Sequence, residues 1–181
     1  MTEPETNPDN LQQRIAAARE TARREAFRLA RDSGAAIVTR PMFHGDTEST
    51  VRDVEPLAGA RAASDLELAT RGTARDYIRQ AREAGHSWEQ IGQALGLAPG
   101  ADQAGPTVAE AAYTYAAGSA QTDAAMRYGR SFVWRCRSCD QAISDRGLIA
   151  GPAEDEPGHS GGCPRQAAAI AEWNAEWQAE P

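Results

Sequence analysis

Apolar residues recur at helical spacing from the start of the chain. Ile15, Ala18, Ala22 and Leu29 follow one another at intervals of three, four and seven, which predicts an amphipathic helix from Asn10 to about Asp32, inside a segment 10–34. Asn10 stands at the N-cap position and Ser33-Gly34 where the helix should stop. Residues 1–9, with two prolines, two glutamates, Asn7 and Asp9, read as a disordered tail. Ala35–Arg40 has the make-up of one short strand ended by Pro41, and residues 35–60 as a whole read as loop and linker. A second helix is predicted from about Ser64 to Ala84, with Ala74, Ile78 and Ala81 on one side and Gly85 as its stop. Ser87 and Gln90 form a capping box for a short third helix, on which Trp88, Ile91 and Leu95 share a face. Another helix is expected from Thr107 to Ala117, closed by Gly118. After Arg130 the pattern turns β-like at Ser131–Trp134, Gln141–Ser144 and Leu148-Ile149, followed by a loop from Gly151 to Gly162. Pro164 suits the first turn of a last helix, with Ile170, Trp173 and Trp177 on one face.

Composition narrows the class. Hydrophobic residues are 41% of the 181, and 37 residues are alanine, so the larger apolar side chains suffice for a modest α-rich core and not for a large β-sandwich or α/β enzyme. No run of about 18 apolar residues exists to span a membrane, and the acidic start Met1–Glu5 lacks the apolar stretch of a secretory signal. A cytoplasmic protein is expected. All 19 basic residues are arginine and the net charge is −7, so any contact with a polyanion must use a local patch.

The three cysteines change the picture most. Cys136 and Cys139 are separated by two residues; after nineteen intervening residues come His159, three more residues, and Cys163. A tight turn between two cysteines converges both thiolates on one ion, and three Cys plus one His is a common closed set for tetrahedral zinc. An odd cysteine count argues against a disulfide framework, and the βαβ context of a redox Cys-x-x-Cys motif is missing. Structural Zn²⁺ held by Cys136, Cys139, His159 and Cys163 is therefore expected. Its loss should unfold the chain from about residue 131 onward.

Residues Ala81–Leu97, with Gly85, Ser87-Trp88, Ile91-Gly92 and Leu95-Gly96, resemble the first half of sigma-region-4-like helix-turn-helix domains. The whole layout is similar to small actinobacterial proteins that join such a motif to a C-terminal Cys3His finger. The resemblance implies a regulator-like protein with no catalytic residues. The expected fold is mainly α: an N-terminal basic helix, a trihelical helix-turn-helix-like domain over 61–126, and a small α+β finger of treble-clef or zinc-ribbon type over 127–181.

Charge qualifies how DNA would be held. Residues 85–126 contain no Arg but carry Glu89, Asp102, Glu110 and Asp123, so the would-be recognition helix approaches phosphates with the wrong sign. Phosphate contacts are expected instead from Arg127, Arg130, Arg135 and Arg137, interleaved with Tyr128, Phe132 and Trp134, and from Arg71, Arg75 and Arg79, which with Arg82 make one stripe on the second helix. Alternatively, the aromatics are the finger's core and the arginines its solvated face. His44 and His86 stand alone, and no catalytic constellation has recognisable spacing. The expected function is a zinc-stabilised DNA-binding transcriptional regulator, with double-stranded DNA as partner and a homodimer possible through the basic first helix. A non-catalytic adaptor that binds a protein partner is the alternative.

Overall fold

A computed structural model describes residues 8–41, 49–100, 105–118 and 131–179. It is mainly helical, with two small antiparallel sheets. The elements are α1 (Pro8–Asp32), β1 (Ile37–Pro41), β2 (Thr50–Val54), α2 (Pro56–Ala84), α3 (Trp88–Ala94), α4 (Val108–Ala117), β3 (Phe132–Arg135), β4 (Ala142–Asp145), α5 (Pro152–Asp155) and α6 (Pro164–Ala179). The chain divides into two compact units, Met1–Thr73 and Ala74–Pro181, with the boundary inside α2.

The first unit holds a hairpin where the sequence suggested a linker. β1 pairs with β2, from Ile37 opposite Val54 to Pro41 opposite Thr50. Pro41 does end β1, but the chain returns as a second strand that local pattern did not reveal. α2 then begins at Pro56, eight residues before the predicted Ser64. Its start is chemically specified: Pro56 occupies the first turn, and the Glu55 carboxylate accepts from the N–H groups of Leu57 and Ala58 at 3.1 and 2.9 Å. Those N–H groups hold the Glu55 carboxyl below its ordinary range. The core here is small: Ala26, Ala30, Val54 and Ala62, with Phe27, Ala35 and Ala58 packed on it.

The second unit contains one core that the helices and the cysteine-bearing segment share. Ile78, Trp88, Ile91, Ala112 and Ala116 are clustered with Phe132, Trp134, Cys136, Ile143 and Cys163. The expected boundary near residue 127 is thus no boundary in the core. α3 starts on the predicted Ser87–Gln90 box, and α4 on a second box that the sequence reading left unremarked, Thr107 with Glu110. The two helices meet through Gly92, where a Cβ would lie 2.5 Å from Val108 Cγ1 and 2.7 Å from its carbonyl oxygen. β3 and β4 alternate inward and outward, with Phe132, Trp134, Ile143 and Asp145 buried. Leu148-Ile149, expected as a strand, is a bend, and the expected loop 151–162 contains the single turn α5. No helix among the described residues is long and apolar enough to cross a membrane.

Candidate metal centre

The hairpin β3–β4 turns through Cys136–Gln141. The Asp140 N–H donates to the Cys136 carbonyl at 2.7 Å and the Cys136 N–H to Gln141 at 2.9 Å, with Asp140 left-handed at φ 57°. This tight turn brings two sulfurs together. Backbone N–H groups of Ser138 and Cys139 are directed at the Cys136 sulfur, and those of Ser160 and Gln141 at Cys139. His159 is delivered by the segment before it, which runs along β4: the Ser144 N–H donates to the Pro157 carbonyl at 3.1 Å and the Arg146 N–H to Asp155 at 2.7 Å. Gly158 makes this approach possible, since a Cβ there would lie 2.6 Å from the Ala142 oxygen and its φ is +113°. Cys163 immediately precedes α6 and its Pro164.

The four predicted ligands converge. One ligand atom from each of Cys136, Cys139, His159 and Cys163 lies within 4.8 Å of all the others. The Cys136 and Cys163 sulfurs are 3.8 Å apart, and Cys139 Sγ is 3.5 Å from His159 Nδ1. A tetrahedral ion bound at about 2.3 Å by sulfur and about 2.0–2.1 Å by nitrogen requires S–S edges of about 3.8 Å and S–N edges of about 3.5 Å. The donor set therefore fits a metal ion of this size. The Cys139 thiol is pulled down to about 6, chiefly by the Ser160 N–H and then by His159 and the Gln141 N–H, whereas burial pushes the Cys136 thiol up.

The outer shell was not foreseen. His159 Nε2 lies 3.4 Å from Glu156 Oε2, which directs Nδ1 toward the sulfurs and fixes the tautomer. Glu156 in turn accepts from the Arg82 guanidinium, which also reaches Asp145 Oδ2 at 3.2 Å and the His86 carbonyl at 2.8 Å. Asp145 Oδ2 further accepts from the indole N–H groups of Trp88 (3.0 Å) and Trp134 (3.2 Å), and Oδ1 from the Gly147 N–H at 3.0 Å. Burial pushes the Asp145 carboxyl above its ordinary range, against the pull of Arg82. The Arg82 guanidinium lies 5.0 Å from the Trp88 ring centre and 5.2 Å from that of Trp134, and Arg165 covers Trp134 at 4.1 Å. A chain of contacts thus runs from the metal ligands to α2 and α3. One signal could have exposed it: the period of two that buries Ile143 also turns Asp145 inward, where an acid requires a partner.

Three of the arginines expected on phosphates are ion-paired at the surface. Arg71 pairs with Glu67 at 2.8 Å, Arg79 with Asp76 at 2.7 Å while lying over Phe132, and Arg135 with Asp140 at 2.7 Å. Arg75 is half-buried, with its guanidinium where a Gly118 side chain would stand. Arg82, the fourth member of the stripe, is 4% exposed. Arg137 is exposed. Arg127, Arg130 and Tyr128 lie outside the described residues, as does His44. Phe132 and Trp134 are buried in the core, as one of the two alternatives had it. No protein-family model, no curated protein and no solved structure matches this chain.

Proposed function

We propose that the chain is a non-catalytic DNA-binding protein of regulator type, with its Ala74–Pro181 unit stabilised by one structural zinc ion. The zinc part is supported by the convergence of the four ligand atoms within 4.8 Å of one another and by two edges of their polyhedron, 3.8 Å from Cys136 Sγ to Cys163 Sγ and 3.5 Å from Cys139 Sγ to His159 Nδ1. Three thiolates and an imidazole close a tetrahedron and leave no position for a reacting water, so the ion's role is to hold elements together. The DNA part rests on the arrangement of the end of α2, α3 and α4. α3 follows Gly85 with a full capping box, Gly96 closes it at φ +70°, and α4 packs against it at Gly92. That order of helix, glycine turn and capped helix is the one that resembles sigma-region-4-like domains.

The exposed face of α4 carries Glu110, Thr114 and Tyr115 and no cation, and Glu110 is committed to the N-cap. Phosphate contacts must then come from arginines elsewhere. The test is a selection from a random-sequence duplex pool at low salt with zinc-replete protein, together with elemental analysis for one zinc per chain. Enrichment of a common site supports sequence-specific binding, and retention without enrichment supports general binding.

One observation favours the adaptor reading instead. A groove of about 540 Å³ runs beside α4, lined by Pro106, Glu110, Tyr113, Arg146, Leu148 and Ile149. Ile149 is 81% exposed there and Leu148 48%. If no duplex is retained at low salt, and a partner protein is captured in a manner that Leu148→Ser/Ile149→Ser abolishes, the adaptor reading replaces the DNA one.

A further inference from the structure

Most arginines of the described residues are engaged by carboxylates or by the core; Arg14, Arg19 and Arg24 of α1 are not. Every residue from Gln12 to Arg24 is exposed, and the buried residues of α1, Ala26 and Ala30, lie near its other end. Between residues 12 and 32 there are six arginines, Arg14, Arg19, Arg23, Arg24, Arg28 and Arg31, against Glu20, Glu25 and Asp32, a local excess of +3 in a chain of net −7. Arg28 pairs with Glu25 at 2.6 Å and Arg31 with Asp32 at 2.8 Å. Arg23 reaches Asp53 only at 3.5 Å, remains 57% exposed, and shares that carboxylate with Arg40 at 2.8 Å. Among the described residues, no carboxylate pairs with Arg14, Arg19 or Arg24, the last of which donates only to the Thr21 hydroxyl at 3.4 Å. Arg14, Arg19 and Arg24 thus contribute no ion pair to the fold among the described residues.

We infer that α1 is a docking surface for duplex nucleic acid, with Arg14, Arg19 and Arg23 on the phosphate backbone. The inference rests on the DNA-binding reading and places phosphate contacts on an element outside the helix-turn-helix-like segment. At 3.6 residues per turn, Arg19 and Arg23 fall to one side of the exposed Ile15–Ala18–Ala22 stripe and Arg14 to its other side, while Arg24 and Glu20 share the far face. A helix about 10–12 Å across fits a major groove about 12 Å wide, and cations on both flanks then meet both backbones. The chain from Arg14 to Arg23 rises about 13.5 Å, which covers roughly four base steps at about 3.4 Å each. The small side chains of Ala18 and Ala22 allow the close approach, and guanidinium forks match phosphate oxygens.

The experiment is fluorescence anisotropy of a labelled mixed-sequence duplex with the full chain, zinc-loaded, across a salt series. Wild type is compared with R14Q/R19Q and with R24Q, whose arginine lies on the far face of the same helix. Each phosphate contact contributes about −0.9 to the slope of log affinity against log salt. The double variant should flatten the slope by roughly 1.8, so its loss of affinity between about 50 and about 200 mM salt is about twelvefold smaller than that of wild type. Its helical circular dichroism should be unchanged, because the two side chains are exposed. R24Q should stay close to wild type. If wild type binds the duplex and the double variant keeps its slope, the docking surface is elsewhere while the DNA reading stands. If wild type binds no duplex at low salt, the DNA reading and this inference both fall. Binding to polyglutamate or to phosphatidylserine vesicles would then assign α1 to another polyanion.

Discussion

Arg82 follows Arg71, Arg75 and Arg79 on α2 at spacings that suggest one solvent-facing stripe, yet it is buried between Trp88 and Trp134. The sequence also places it four residues after Ile78, on the inward side, and only the partners decide which face wins. Those partners, Asp145 and Glu156, lie 63 and 74 residues away, beyond any local pattern. Arg82→Met should cost about 3–5 kcal/mol in urea denaturation, because the buried Asp145 and the part-buried Glu156 lose their shared cation. Arg82→Met/Asp145→Asn should cost less than the sum of the single changes, since the second removes the charge that the first strands. Equal and additive losses would mean that the pair is not coupled. Gly92 illustrates the opposite constraint, the need for no side chain. Gly92→Ala drives a Cβ into the backbone of Val108 and should lower stability by about 1–3 kcal/mol, read as a lower melting temperature of the zinc-loaded protein.

At the level of elements, legibility followed the range of the interactions. α3 and the span of α4 were readable because caps, glycine stops and apolar spacing are local. The β1–β2 hairpin was not, because its pairing joins residues thirteen or more positions apart for most of the register, and the Val54 that anchors it packs against alanines of α1 and α2. Asp53 ties this hairpin together through Arg40 and Arg23. Hydrogen bonding from Arg40 holds its carboxyl below the ordinary 3.8. A carboxyl whose folded value is depressed stabilises fully above its unfolded value and loses that contribution as pH falls through the folded one. Asp53→Asn should therefore lower stability at pH ~6 by up to about 1 kcal/mol, a modest figure because the ion pairs are part-exposed. The gap between variant and wild-type melting curves should narrow as pH falls below the ordinary carboxyl value and close once the folded carboxyl is protonated. A gap that is constant across that range would show that the carboxylate's charge contributes nothing.

At the scale of the molecule, the ligand set was legible and its reach was not. Four ligands at paired spacing identify themselves in sequence, but the shared core of the Ala74–Pro181 unit emerges only once Trp88 is seen edge-on to both Tyr113 of α4 and Phe132 of β3, 5.4 and 5.5 Å between ring centres. Sequence reasoning expects metal loss to unfold the chain from about residue 131 and to spare the earlier helices. The structure argues for a larger melting unit. Without the finger, α3, α4 and the end of α2 retain Ile78, Trp88, Ile91, Ala112 and Ala116 as buried apolar residues, two of them alanine. So small a core does not hold three short elements unaided. Without the ion, two buried thiols lose the partner that accounts for their burial, and His159 no longer anchors Glu156 and through it Arg82. Structural zinc contributes binding free energy of about 10–16 kcal/mol in finger peptides, more than a unit of this size is expected to have in reserve. Cys136→Ser, or chelation of the wild type, should thus expose the amides of α3 and α4 to hydrogen exchange together with those of β3 and β4, and shift Trp88 and Trp134 emission to the red in one transition. The amides of β1 and β2 should remain protected, because Ala26, Ala30, Val54 and Ala62 form a core of their own. Protection that persists in α3 and α4 after the metal is gone would restore the independent finger that the sequence suggested.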